Sequence, residues 1–261
     1  MIKRTLFLLY GVLAYLAFLP VFLYAIGFVG NFYVPKSMDR GGAGGGLLEA
    51  LLVDGGLLLL FALQHSVMAR QGFKRWWTKV VPRPVERSTF VLAATAALAL
   101  LMWAWQPLGG IVWDLSGTGL APVLIGVSLL GWGVVFLSTF LIDHFDLFGL
   151  GQVWAAFRGR EYHPPRFYSP SLYKVMRHPL YFGFIVAFWA TPVMTWGHLL
   201  FAAGTTGYIL VAIRLEERDL VHFHGDAYRE YRRRVRMLLP LPKSGAPDRD
   251  AAWDQRREGA A

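Results

Sequence analysis

The sequence predicts an all-α polytopic integral membrane protein: four single transmembrane helices followed by a C-terminal helical hairpin, five to six membrane helices in all. Three observations lead there. Apolar stretches of spanning length recur along the chain, where a helical span needs roughly 20 residues. The composition is 55% hydrophobic and only 16% charged, against about 25% charged in ordinary soluble domains. The basic residues are also segregated, because the loops 30–46 and 106–119 hold only 2 of the 26 lysines and arginines. By the positive-inside rule those two loops face away from the cytosol, and both termini are cytoplasmic.

The first span, 5–29, follows Lys3 and Arg4. It is longer than the 7–15-residue apolar core of a signal peptide, so it reads as a retained helix. The glycine-rich run from Gly41 to Gly46 lacks a following Gly-Lys-Ser/Thr and a preceding strand, which makes it a connector rather than a phosphate cradle. The second span, 47–68, carries Asp54, Gln64 and His65, polar groups that are costly in lipid and turn inward. His65 stands at the helix end, either bonded to a neighbouring carbonyl or lining a pocket. Between 71 and 87, Trp76-Trp77 among Lys74, Arg75, Lys79 and Arg83 marks an interfacial segment. Spans 88–105 and 120–142 complete a transmembrane bundle over residues 1–142.

Residues 143–240 form the second region. Its opening Asp143-His144-Phe145-Asp146 lacks a partner cluster that would make it a metal site, so no metal is expected. The apolar 180–213 stretch is broken by Thr191-Pro192 and Gly197-His198, leaving halves of about 15 residues, each short of a full span. A hairpin of two short helices turning at Pro192/Gly197 follows, its irregular turn packed in protein or reaching the far interface. Its two mouths then lie side by side on the cytosolic face and bring Arg177-His178 against Glu216-Glu217. Beyond it, Tyr228 and Tyr231 share a helix face, while Arg233, Arg234 and Arg236 suit a basic helix on anionic lipid. The tail, 241–261, reads as disordered.

With no cysteine in the chain, zinc-thiolate sites and cysteine nucleophiles are excluded. The net charge of +9 accompanies no nucleic-acid-binding motif and is explained by membrane orientation. The lipid bilayer is the expected partner. An oligomeric partner is not indicated.

Arg177-His178-Pro179-Leu180-Tyr181-Phe182-Gly183, then Glu216-Glu217, then Phe223-His224-Gly225-Asp226-Ala227-Tyr228-Arg229-Glu230-Tyr231 resembles the C-terminal signature of the isoprenylcysteine carboxyl methyltransferase superfamily. Gln64-His65-Ser66-Val67-Met68-Ala69-Arg70, Pro84-Val85-Glu86-Arg87-Ser88-Thr89 and Asp143-His144-Phe145-Asp146-Leu147-Phe148-Gly149-Leu150 extend the resemblance to the bacterial methanethiol S-methyltransferases. The N-terminal half is also similar to the nitric-oxide-reductase-associated membrane family.

The resemblance implies a bacterial inner-membrane enzyme that passes the methyl of S-adenosylmethionine (SAM) to methanethiol and releases dimethyl sulfide. It implies a cytosolic SAM pocket formed by Arg177, His178, Tyr181, Glu216 and Glu217, with His144, Leu150, Gln152, Tyr228 and Tyr231 around it. Arg177 or Arg214 suits the methionyl carboxylate, and Tyr181 or Trp189 suits a sulfonium. His65, His178 and His144 are the candidate groups for activating the thiol, and Trp103, Trp105 and Phe136 are candidate cavity walls or simple packing. Two further readings stay open: methylation of a carboxylate or lipid-like acceptor, and a non-enzymatic accessory or transport protein.

Overall fold

The computed structural model describes residues 1–42, 46–163 and 169–241. Part of the glycine-rich connector, and the tail from residue 242 onward, lie outside the described residues. Apolar residues run almost all round the expected spans, so each helix meets its neighbours on a narrow stripe and leaves leucines outward. Helices α1 (Ile2–Gly30), α2 (Leu47–Ala69), α4 (Arg83–Ala104) and α5 (Leu120–Ile142) are the four single spans. With α9 (Trp196–Arg234) they make five helices, among the described residues, long and apolar enough to cross a membrane. Leu52, Leu59 and Leu63 on α2 and Leu129 and Leu130 on α5 are exposed. In water such surfaces are a liability; in lipid they are solvated. The chain is an integral membrane protein.

The span expected at 88–105 begins earlier, at Arg83, because Pro84 occupies the first helical turn, where its missing N–H leaves no bond unmade. Glu86 and Arg87 are thereby drawn into the helix, ahead of the buried Ser88 at which the expected span began. Short helices α3 (Gln71–Trp77), α6 (His144–Leu147) and α7 (Leu150–Phe157) gather at the same end of the bundle. There Arg87 Nε donates to the Leu147 carbonyl at 2.7 Å, and Arg70 meets Asp219 at 3.1 Å.

The hairpin differs from two equal short helices. Its first arm, α8 (Pro179–Trp189), has only 11 residues, about 17 Å of rise against a hydrocarbon core of about 30 Å. Extended residues continue the path. Val193–Thr195 forms strand β2, which pairs antiparallel with strand β1 (Ile111–Asp114) of the 106–119 loop. The all-α class holds, with one short two-stranded sheet added to it among the described residues. Leu115 N–H donates to the Pro192 carbonyl at 2.8 Å, and Thr195 Oγ1 to Asp39 Oδ1 at 2.5 Å. The turn therefore sits with the loops after α1 and α4, and the hairpin traverses the bundle. The second arm, α9, has 39 residues and starts on the Thr195 hydroxyl, which accepts from His198 N–H at 3.0 Å.

Helix α8 packs into α5 at two glycines. A Cβ on Gly183 would lie 2.7 Å from the Gly131 carbonyl, and one on Gly131 would lie 2.7 Å from Ala187 N. Such backbone approach is the characteristic use of small residues between membrane helices, and Ser128 Oγ donates to the Ala187 carbonyl across it at 2.8 Å. Next to this contact, Trp132 meets Phe22, Phe184 and Phe188 edge-on with ring centroids 5.6, 5.7 and 5.7 Å away. This cluster forms the buried centre of the bundle.

Candidate active site

Three segments build the hairpin mouth. Backbone N–H groups of Arg177 and His178 donate to the carbonyls of Arg236 and Met237 at 2.9 and 3.1 Å. Tyr231 Oη donates to the Tyr173 carbonyl at 2.5 Å. The return path depends on Gly225, whose φ of 54° and ψ of −127° break α9 and redirect its last turns; the ψ there is accessible essentially to glycine alone.

The ion cluster expected from sequence forms at this junction. Glu217 is buried, and its Oε1 receives Arg177 Nε at 2.7 Å and His178 Nε2 at 3.1 Å. Its Oε2 faces Arg232 Nε at 3.2 Å. Arg177 Nη1 also donates to the Val235 carbonyl. Beside this cluster, Tyr181 Oη donates to Glu216 Oε2 at 3.0 Å.

From the mouth a cavity of about 1110 Å³ runs into the bundle; ligand pockets commonly measure about 300–1,000 Å³. One end is apolar, lined by Phe28, Leu101, Met102, Trp132 and Phe188. The other is polar, lined by Lys74, Arg87, Asp146, Arg177 and Glu216. Of the residues expected from sequence, His65, His144, Gln152, His178, Tyr181, Tyr228 and Tyr231 also line it. Glu217, Leu150 and Arg214 are not among its lining residues, and Arg214 is exposed. Glu217 instead orients Arg177 and His178 from behind. Phe136 is a wall of the cavity, whereas Trp105 is fully buried in the core and Trp103 points outward.

The region after α5 supplies the cavity's third side. His144 is buried. Thr139 Oγ1 donates to the Phe136 carbonyl at 2.7 Å, so it accepts from His144 Nδ1 at 2.8 Å, and His144 Nε2 accepts from Tyr15 Oη at 2.8 Å. Both ring nitrogens are committed, and burial holds the pKa below the usual imidazole value. Asp146 accepts both contacts from Tyr162 Oη, at 2.6 and 2.8 Å, and one from Gln152 Nε2 at 3.1 Å. Burial raises the Asp146 pKa, with Tyr162 opposing, and burial and the Asp146 carboxylate push the Tyr162 phenol upward. Gln152 Oε1 is buried without a partner among the described residues. Among the same residues no three His, Asp or Glu side chains converge as a metal site requires.

Arg87, Tyr162 and Tyr208 line the cavity but were not singled out as site residues from sequence. Arg87 stood in the polar lead-in to a span, Tyr162 in a loop without motif, and Tyr208 on an apolar helix. The non-local contacts that expose them have no local signature.

Fold and site together define a polytopic membrane enzyme built round one amphiphilic cavity. The chain is 56% identical over 236 residues to methanethiol S-methyltransferase 1 of Bradyrhizobium diazoefficiens, covering 90% of this chain and 82% of that protein. It is 54% identical over 240 residues to methanethiol S-methyltransferase of Mycobacterium tuberculosis, covering 92% and 98%. Nurim of Sus scrofa is 30% identical over 208 residues, covering 76% and 77%. No family model and no solved structure matches the chain. The chain belongs to the methanethiol S-methyltransferase family, within the isoprenylcysteine carboxyl methyltransferase-like superfamily.

Proposed function

We propose that the protein transfers the methyl group of SAM to the sulfur of methanethiol, giving dimethyl sulfide and S-adenosylhomocysteine. The observation that carries this reading is similarity of 50–56% identity, over about nine tenths of the chain, to proteins named for that methyl transfer. The cavity suits it: a polar mouth for a charged nucleoside donor, continuous with an apolar interior for a small thiol. The bacterial relatives support an inner-membrane location, and the concentration of basic residues at the mouth end supports an orientation with both termini and the mouth cytoplasmic.

The residues present fit SAM. Gln152 Oε1 is an orphaned buried acceptor on a residue lining the cavity, which a donor group on a ligand would satisfy. Glu216 turns one oxygen to Tyr181 and leaves the other for an amine or hydroxyl pair. Arg177, braced by Glu217, suits a carboxylate. Tyr181, Tyr228 and Tyr231 supply aromatic faces at the mouth, which suit a cation. When bound, SAM supplies an electrophilic methyl on a positively charged sulfur.

The chain's contribution is position and dryness. Thiolate and sulfonium lose their charges as the methyl moves, so an apolar enclosure that excludes water favours the charge-poor transition state. In-line alignment of the two sulfurs adds an effective-concentration advantage. A free thiol titrates at about 8.5, so a group in the cavity must remove the proton. The test is headspace dimethyl sulfide from the purified protein in detergent with SAM and methanethiol, for wild type, His178→Ala and Glu216→Ala. Product from wild type alone supports the reading; SAM binding without product would instead move the search to carboxylate or lipid acceptors.

A further inference from the structure

We infer that His65 and Arg87 form the thiol subsite, with His65 as the base and Arg87 as the cation that holds the thiolate; this rests on the methyl-transfer reading above. Three histidines line the cavity among the described residues, and their ring nitrogens are used differently. His144 has both engaged, by Thr139 and Tyr15. His178 is tied through Nε2 to Glu217, inside the ion cluster of the mouth. His65 Nδ1 is buried and has no partner among the described residues. A buried ring nitrogen left unmet in a cavity wall is unfavourable, and a ligand that exchanges a proton with it removes that cost.

The surroundings of His65 match a small thiol. Its ring stacks on Phe61, centroids 5.5 Å apart at 24°, and leans on Phe90 at 4.9 Å. Arg87 Cζ lies 4.9 Å from the same Phe90 ring, so one phenyl group carries both. Sulfur packs favourably against aromatic rings, and a methyl group has only apolar surface to meet there. Arg87 is held by its Nε bond to the Leu147 carbonyl and makes no salt bridge within 4.0 Å among the described residues. A guanidinium so placed favours the ionised form of a neighbouring thiol. The other ionisable groups lining the cavity from the elements packed round this subsite are Arg70 at the end of α2, Lys74 and Arg75 on α3, Arg83 and Glu86 on α4, Asp146 on α6, Tyr162 after α7, Tyr181 on α8, and Tyr208, Glu216 and Asp219 on α9.

In this subsite the thiol proton passes to His65 Nδ1, and the thiolate pairs with Arg87. The thiolate lone pair forms the new carbon–sulfur bond while the donor's methyl–sulfur bond breaks, its electrons remaining on the donor sulfur. The proton on His65 leaves to water at the mouth. His65 and Arg87 are thus assigned to the acceptor, where the polar mouth that takes the donor gives way to the apolar interior, so that the two sulfurs can meet in line.

The test compares wild type with His65→Gln, Arg87→Gln and Arg87→Lys. Three quantities are read: kcat/KM for methanethiol against pH, SAM affinity, and the thiolate ultraviolet absorbance when methanethiol is titrated into protein without SAM. His65→Gln is expected to lower kcat/KM at neutral pH by about 100-fold or more. The deficit narrows as pH rises past about 8.5, where thiols ionise unaided, and SAM affinity stays within about twofold. Both glutamine variants lose the thiolate absorbance at neutral pH, and Arg87→Lys recovers part of it. Wild-type absorbance and pH profile in both glutamine variants would overturn the assignment, as would a pH-independent loss accompanied by loss of SAM binding. If wild type forms no dimethyl sulfide, the methyl-transfer reading itself fails, and the subsite assignment with it.

Discussion

At its turn the hairpin of α8 and α9 is held by backbone pairing and short hydrogen bonds, whereas at its mouth a buried ion cluster is added to the backbone bonds of Arg177 and His178. The turn joins β1 to β2 and anchors Thr195 on Asp39. The mouth places Arg177, His178 and Arg232 on a single carboxylate, Glu217. Backbone pairing sets register and is indifferent to most side chains. A buried ion cluster adds little net stability compared with apolar packing, but it is severely disrupted when one member is removed. The contrast teaches where geometry is being kept for chemistry: the ionic end faces the polar part of the cavity, and the paired end closes the fold behind it.

The largest effect is expected from Glu217→Ala. It leaves the 9%-exposed Arg177 side chain without its carboxylate, which costs about 3–5 kcal/mol for a broken buried pair. Thermal melting in detergent should fall steeply and SAM binding should be lost, with Glu217→Gln milder on both. Midway between the ends, Gly183→Val forces a side chain into the Gly131 carbonyl, an overpacking of about 1–3 kcal/mol that lowers the melting temperature. Thr195→Val removes the Asp39 bond and the cap of α9 together. A loss of about 1–2 kcal/mol follows, with turnover per folded molecule unchanged if the two ends are functionally separate.

The smallest effect concerns pH. Burial depresses the His144 pKa below its ordinary 6.5, so protonation is less favourable in the folded protein than in the unfolded chain. The associated stability is fully present above about 6.5 and is lost as pH falls through the folded value. Melting temperature should therefore drop on acidification more in wild type than in His144→Gln.

Legibility from sequence followed the range of the interactions. The span at 120–142 has those bounds in the structure, because apolar length alone determines a helix in lipid. The span read as 88–105 began at Arg83, since hydropathy discards the polar Glu86-Arg87 even though Pro84 marks a helix start. The meeting of Arg177-His178 with Glu217 was legible because a hairpin must return its second arm to the face of its first. The β1–β2 pairing was not: Ile111-Val112-Trp113 is too short to announce a strand, and its partner becomes adjacent only once α5 and α8 have packed. Which acidic residue lines the cavity was equally hidden, because Glu216 and Glu217 differ only in the helical angle that one residue subtends.

The most direct measurement supplies the purified protein with methanethiol and SAM carrying a deuterated methyl group, then records the mass of the dimethyl sulfide in the headspace. The account predicts product carrying one fully deuterated methyl, formed in step with S-adenosylhomocysteine and dependent on Arg177 and His178. Unlabelled dimethyl sulfide, or label recovered on a carboxylate or lipid instead of on the thiol, would contradict it.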